Sequence, residues 1–475
     1  MTLLLVACSS QVSHDDVIKF AVAQAPLNLD PRYATDAASE RVNRLVYQSL
    51  VDFDASSKPV PSLASWVQVT PQEYRFSLNK QRASFHNQQL LTANDVKATY
   101  DSFASLKNFP HAAEFANIAA IVVVNEDTII FQLKQSDLHF PEKLIIGILP
   151  AELIKIDHDF AHAPVGNGPL QFISWKNKLV LQRVKDQQII ELIEVKDPTV
   201  RVLKLLRGEV DLLQGDLPQE LVKYLQSKPE LKVISSVGSN FSYLGFNFQD
   251  AQLKHLKVRQ AVAHAIDRQA IIDKAMVVDS RAATSILPPE HYTSQIKLTL
   301  YDYNPALAKQ LLMEAGVKLP LKLVYKTSTD AQRVRLATIM QAQMAAAGID
   351  LEIRSLDWGT FFDDVKHGKF QLYGLTWVGI NTPQIYSKAF GSNSFPPNGF
   401  NRGRFADAEL DNLLTKEDWP AATQRIHTQL PYIPLWYEGE FAAMRSDIKN
   451  YTPKPNGNWD NLTVIARSAT ITHAH

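Results

Sequence analysis

The only thiol of this chain is Cys8, at the end of the apolar run Leu3-Leu4-Leu5-Val6-Ala7. The tetrad Leu5-Val6-Ala7-Cys8 looks like a bacterial lipobox, where a signal peptide is cut and the new N-terminal cysteine is acylated. On that reading residues 1–16 are signal remnant and polar tether, with Ser9, Ser10 and Gln11 following the cysteine, and the chain is lipid-anchored outside the cytoplasm. The alternative is a lone cysteine after a chance apolar run. Seven residues precede Cys8, so the basic n-region and most of the apolar h-region of a signal peptide are missing, and an upstream start codon would supply them. One cysteine permits neither an internal disulfide nor a CxxC-type metal cage. The serine-hydrolase, zinc-protease, Walker A and dinucleotide motifs GxSxG, HExxH, GxxxxGKS/T and GxGxxG are absent. The histidines are scattered, His473 and His475 read as a tail, and no metal cluster at ligand spacing is visible. Chemistry of the binding kind has one good candidate, Trp377-Val378-Gly379-Ile380-Asn381-Thr382-Pro383. A large aromatic followed by glycine and a polar turn suits a cleft wall, where backbone groups meet a ligand and the indole supplies apolar area. A core tryptophan beside a plain turn is the other reading.

Composition narrows the partners. Lys plus Arg and Asp plus Glu both number 49, so no global field draws in nucleic acid or an anionic membrane surface. With 45% hydrophobic and 21% charged residues the profile is that of an ordinary globular protein. At 475 residues it exceeds the roughly 250 to 300 at which one core stops growing, so more than one lobe is expected.

The elements that must position such a site alternate between two periods, which predicts α/β lobes. Ile18 to Val22 reads as a strand, and Val42, Leu45, Val46 and Leu50 recur at helical spacing from Ser39 to Leu50. Tyr74, Phe76 and Leu78 alternate with Arg75 and Ser77 as in a half-buried strand. Thr92-Ala93-Asn94-Asp95 fits the capping-box pattern, which makes Asp95 structural. Strand runs return at Leu179–Val184 and Ile189–Val195, a helix covers Val200 to Leu206, and Glu209–Leu213 is a further strand. The clearest order lies between Leu319 and Trp377: strand, helix, strand, helix, strand, with Asp357 placed to cap the second helix. Such crossovers give a parallel sheet whose ligands bind beyond the carboxyl ends of strands, where Trp377 stands.

Several segments, in order along most of the chain, resemble the family-5 extracytoplasmic solute-binding proteins of ABC importers, the oligopeptide-, dipeptide- and nickel-binding family. They are Pro61-Ser62-Leu63-Ala64-Ser65-Trp66, Tyr74-Arg75-Phe76-Ser77-Leu78 and Leu91-Thr92-Ala93-Asn94-Asp95-Val96, then Gly166-Asn167-Gly168-Pro169 and Leu206-Arg207-Gly208-Glu209-Val210-Asp211. Tyr243-Leu244-Gly245-Phe246-Asn247, Val258-Arg259-Gln260-Ala261 and Ala265-Ile266-Asp267-Arg268 continue the likeness. The resemblance implies a two-lobed periplasmic-binding-protein clam fold of the class II type, with an extra inserted domain. Domain I would comprise 17–45, 165–242 and 434–475, the inserted domain II 46–164, and domain III 243–433. It implies a monomer that closes on a small molecule or peptide and presents it to membrane permease subunits, with no cofactor of its own.

In the family the loop after Trp377 contacts the ligand, which makes Trp377, Gly379, Ile380 and Asn381 candidates. Asn240 and Tyr243, where the chain enters the second lobe, and Trp436, where it returns, are further candidates, with ordinary strand positions as the alternative. Peptide binders of the family carry an aspartate soon after this tryptophan that holds the peptide amine, and Ile380 and Asn381 stand there instead. An acid from elsewhere, such as Asp357 or Glu438, could restore that contact. The reading is a carrier of a short peptide or peptide-like solute. Carriage of a metal chelate, haem, sugar or opine, or a role as a peptidoglycan-fragment sensor, are the alternatives, and an enzyme is the weakest.

Overall fold

The computed structural model describes residues 17–106, 110–397 and 399–468; Cys8, the tether and the terminal histidines His473 and His475 lie outside the described residues. Strand β1, Val17–Val22, is the first of the described elements and lies where its pattern predicts. Helix α1, Ala37–Val46, is capped by Asp36, whose carboxylate accepts the Ser39 N–H at 2.9 Å. It stops short of the predicted Leu50. Tyr47 turns to extended backbone, and Asn167 holds the next residue, accepting the Gln48 N–H and donating to Gln48 Oε1, both at 3.0 Å.

The inserted segment forms its own antiparallel sheet, β2 Ala64–Thr70, β3 Glu73–Leu78, β4 Ile118–Asn125 and β5 Thr128–Leu133, in the order β2-β3-β5-β4. In β3, Tyr74, Phe76 and Leu78 are buried while Arg75 and Ser77 are exposed, the alternation the sequence predicts. Helix α2, Ala93–Ser102, starts at the expected capping box, with Asp95 accepting from the Thr92 N–H at 2.8 Å and its hydroxyl at 3.0 Å. The core here runs from Leu50 to Ile148, whereas Leu149 and Phe160 pack with β1 and α1 in the first-lobe core.

With β1, one large sheet takes in β6 Leu170–Trp175, β7 Leu179–Arg183, β8 Ile189–Glu194, β9 Leu212–Gln214, β10 Leu231–Phe246, β11 Leu321–Ser328, β12 Ile349–Leu356, β13 Leu372–Trp377 and β14 Tyr432–Arg445, with the short strand Arg281–Ala282 paired to β14 off the main order. Its order is β12-β11-β13-β10-β14-β9-β1-β8-β7-β6. Helices α3 Pro198–Leu206 and α4 Gln219–Gln226 belong to the first lobe, α5 Ala331–Ala345 and α6 Trp358–His367 to the second. As predicted, β11 pairs in parallel with both β12 and β13.

Among the described residues, β10 and β14 are the strands that run through both lobes. Their first-lobe halves pair Leu231 with Arg445 and Ser235 with Phe441, and their second-lobe halves pair Phe241 with Tyr437 and Gly245 with Tyr432. Between the halves the register breaks from Ser236 to Asn240. Gly238 lies in that break, where a Cβ would stand 1.5 Å from the Glu438 carbonyl oxygen, so only glycine lets the strands approach. The fold is thus an α/β clam with several sheets and a two-strand hinge.

Candidate functional site

A cavity of about 820 Å³ lies between the lobes and runs along the hinge. Side chains alternate across a strand, so one face of the hinge presents Asn240 and Ser242 from β10, Thr376 from β13, and Trp436, Glu438 and Glu440 from β14 to this space. The opposite face, with Phe241, Tyr243, Tyr373 and Tyr437, packs into an aromatic core of the second lobe. Helix α1 contributes Arg41 from the first lobe, and the start of α5 contributes Asp330 and Arg333 from the second.

Glu438 is held by two hydroxyls. Ser242 donates to its Oε1, Thr376 Oγ1 reaches the same atom at 3.1 Å, and the two hydroxyls lie 2.7 Å apart. The Arg333 guanidinium is 3.4 Å from Thr376 Oγ1. Two residues along β14, Glu440 accepts from the Asn240 amide at 3.1 Å. Burial pushes the Glu440 carboxyl up to about 8, against the pull of Arg41 and with the help of Glu438 and Asp216. Arg41 lies over the Trp459 indole, 5.4 Å from its centroid. Gly457, at φ +76°, leaves room for this group: a Cβ there would come within 2.6 Å of Arg41 Nη2 and 3.0 Å of Glu440 Oε1. The cavity is lined by cations, Arg41, Lys196, Arg201 and Arg333, and by acids, Asp216, Asp330, Glu438 and Glu440, a mixture of charges suited to binding a polar solute.

Residues 58–395 match the family model described as bacterial extracellular solute-binding proteins, family 5. The chain belongs to this family. Family-5 proteins are non-catalytic, extracytoplasmic solute-binding components of ABC importers and hand their solute to permease subunits in the membrane. The chain is 26% identical to heme-binding protein A of Haemophilus influenzae, covering 96% of both proteins. It is 25% identical to di/tripeptide-binding protein 1 of Pseudomonas aeruginosa, covering 95% of this chain and 94% of that protein. Among solved structures, NikZ of Campylobacter jejuni in complex with Ni(L-His) superposes with a TM-score of 0.78 at 21% identity, over 95% of this chain and 99% of that one.

Within this family-5 fold the residues singled out in the sequence fall into three places. Asn240, Tyr243 and Trp436 line the inter-lobe cavity, although the Tyr243 ring also belongs to the aromatic core, stacked on Tyr432 with centroids 4.0 Å apart. Gly379 and Asn381 line a second cavity of about 450 Å³, between α1, the insertion and the second lobe. Trp377 is half-buried against that aromatic core, stacked on Tyr243 at 6.3 Å with the Arg402 guanidinium 4.8 Å from its centroid, and Ile380 packs beside it. Asp357 caps α6 by accepting the Thr360 N–H at 3.1 Å, while Glu438 faces the cavity. Arg41, Arg333 and Glu440 escaped the sequence reading. The two acids do carry a signal, since carboxylates two apart share one face of a mostly buried strand.

Contacts across the cleft hold the lobes together. His139 of the insertion bonds Glu142 at 2.7 Å and Glu417 of the second lobe at 3.0 Å. Lys388 pairs with Glu114 at 3.2 Å, Tyr292 N–H donates to the Ser56 carbonyl at 3.0 Å, and Arg335 of α5 pairs with Glu220 of α4.

Proposed function

We propose that this family-5 protein carries a compact, carboxylate-bearing chelate, such as haem or a metal–amino acid complex, between its lobes. The observation that carries this reading is that arginines face the inter-lobe cavity from opposite lobes, Arg41 from the first and Arg333 from the second, and guanidinium groups pair with carboxylates. The loop Gly379-Ile380-Asn381 provides no acid for a peptide amine, and relatives that bind haem and nickel–histidine agree with the choice. A short peptide is the second reading, favoured by Glu438 facing the cavity and by the di/tripeptide-binding relative. In either case residues 17–45, 165–242 and 434–475, with the insertion 46–164, would close on 243–433 about β10 and β14. Trp377, Gly379, Ile380 and Asn381 would act as the wall of that closed space.

Native mass spectrometry of the protein purified from its host tests the cargo directly, with thermal shift against haemin, nickel–L-histidine and trialanine as the second arm. A true ligand stabilises the fold by about 2.7 kcal/mol at one hundred times its dissociation constant. Stabilisation by trialanine alone would replace the chelate reading with the peptide one. We also propose that Cys8 is acylated and anchors the chain. Labelling with a fatty-acid probe should mark the product of the full-length gene and not its Cys8→Ser form, and equal labelling of both would remove the anchor.

A further inference from the structure

We infer that the inserted segment positions the loop from Trp377 to Asn381, and that His291 of the second lobe is the positioning residue between them. The inference rests on the reading of that loop as a wall of the solute space, and it gives the insertion a task. Two separate sets of contacts carry it.

The first set holds Asn381. His291 is 3% exposed. Its Nδ1 accepts the Thr293 N–H at 3.2 Å, which leaves the ring proton on Nε2, the atom that donates to the Asn381 carbonyl at 3.0 Å. The next residue makes the contact with the insertion. The Tyr292 N–H donates to the Ser56 carbonyl at 3.0 Å, and its hydroxyl reaches Glu142 Oε1 at 3.5 Å. The rings of His291 and Tyr292 lie against each other with centroids 4.7 Å apart. The turn that carries them is itself anchored: the His291 N–H donates to the Pro288 carbonyl at 3.0 Å, and the Leu287 carbonyl accepts from the Tyr437 hydroxyl of β14 at 2.9 Å. A shift of the insertion at Ser56 therefore reaches the Asn381 carbonyl through two adjacent residues.

The second set grips the chain just past the loop. The short helix Ile385–Phe390 begins two residues after Pro383. Its Ile385, Tyr386, Ala389 and Phe390 pack into the aromatic core of the second lobe, and its Lys388 pairs with Glu114 of the insertion at 3.2 Å. Gly379 and Asn381 also face the insertion across the smaller cavity, whose lining includes Lys143, Ile145 and Gly147. Tied at Asn381 and again at Lys388, the loop takes its position from a segment that supplies neither hinge strand.

Hydrogen exchange of the full chain, read by mass spectrometry over residues 377–386, tests this without any solute. One hydrogen bond lost from a buried loop raises its local opening about fivefold. His291→Leu should speed loop exchange by about that factor, while His291→Gln, which keeps a side-chain N–H, should stay near the rate of the unsubstituted chain. Glu114→Lys should speed it too, and Lys388→Glu in the same chain should restore it. Exchange in β1 and β8 records global stability in the same samples. Glu220→Lys breaks a contact of the first lobe with α5, leaves the insertion alone, and should not move the loop. Unchanged loop exchange in His291→Leu or in Glu114→Lys overturns the inference. So does a His291→Gln form as fast as the Leu form, or a Glu220→Lys effect equal to that of Glu114→Lys. Calorimetry with haemin, nickel–L-histidine and trialanine separates this inference from the reading beneath it. A probe that binds the unsubstituted chain should bind His291→Leu more weakly; a faster loop with every affinity unchanged would take the loop out of the solute wall and leave its positioning by the insertion standing.

Discussion

At the scale of single residues, Glu440 and Trp377 make separable predictions. Glu440 has an ordinary carboxyl value of 4.5 when unfolded and about 8 when folded. Between those values the native state holds a proton that the unfolded state has lost, so its contribution to stability falls as pH rises from about 4.5 to 8 and is level beyond. Glu440→Gln should flatten that decline by a few kcal/mol at most, as measured by denaturant midpoints across the range; an unchanged slope would place the raised value elsewhere. For Trp377, contacts with Tyr243, Phe400 and Arg402 predict that Trp377→Ala costs about 3 kcal/mol, the low end for a tryptophan because the ring is only half-buried. The same variant should loosen the loop through Asn381 and lower affinity for cargo. Loss of affinity with full stability would make the indole a direct ligand contact instead.

Among the elements, α2 shows how a local motif takes on a distant task. The capping box of Thr92 and Asp95 is readable in the sequence, but Asp95 also accepts the Ala151 N–H at 2.8 Å and so ties α2 to the chain leaving the insertion. Removing this buried acceptor strands three donors at once. Asp95→Ala is therefore expected to cost about 3 kcal/mol in chemical denaturation without altering solute affinity, since the insertion core stands apart from the inter-lobe cavity. Helix α5 behaves differently, because Asp330 caps it through the Arg333 N–H at 2.9 Å and the Arg333 guanidinium faces the cavity. Asp330→Ala should cost about 1 kcal/mol of stability and also weaken binding, a combination that calorimetry and melting curves separate from the Asp95 case.

For the whole molecule, the lobe closure proposed above is the property to test, and His139 lies on the contact between the lobes. Burial lowers its value, but the bonds and charges of Glu142 and Glu417 outweigh this and raise it to about 9. A histidine raised in this way contributes in full below its unfolded value of 6.5, and the contribution is lost as pH rises through 9. Because Glu417 belongs to the opposite lobe, that loss should appear as opening. Scattering should show a larger radius of gyration above pH 9, and Glu417→Gln should give the wider form already at pH 7. A radius that stays constant through both changes would assign closure to the Lys388–Glu114 and Arg335–Glu220 pairs.

The sequence by itself determined the local elements and the family. The strand–helix alternation from Leu321 to Trp377, the capping box at Thr92 and the cap at Asp357 all depend on residues a few positions apart, so nearest-neighbour chemistry decides them. The end of α1 at Val46 was not legible, because Asn167 lies far along the chain from the residue it holds. Only the tertiary structure decided the site. Ser242 meets Thr376 across 134 positions and Glu438 across 196, and Arg41 approaches Glu440 only because the C-terminal segment folds back to put Trp459 beneath it. No periodicity or composition records such pairings. They arise from the register of β10 against β13 and β14, which puts alternate residues of three distant segments on one wall of the cleft.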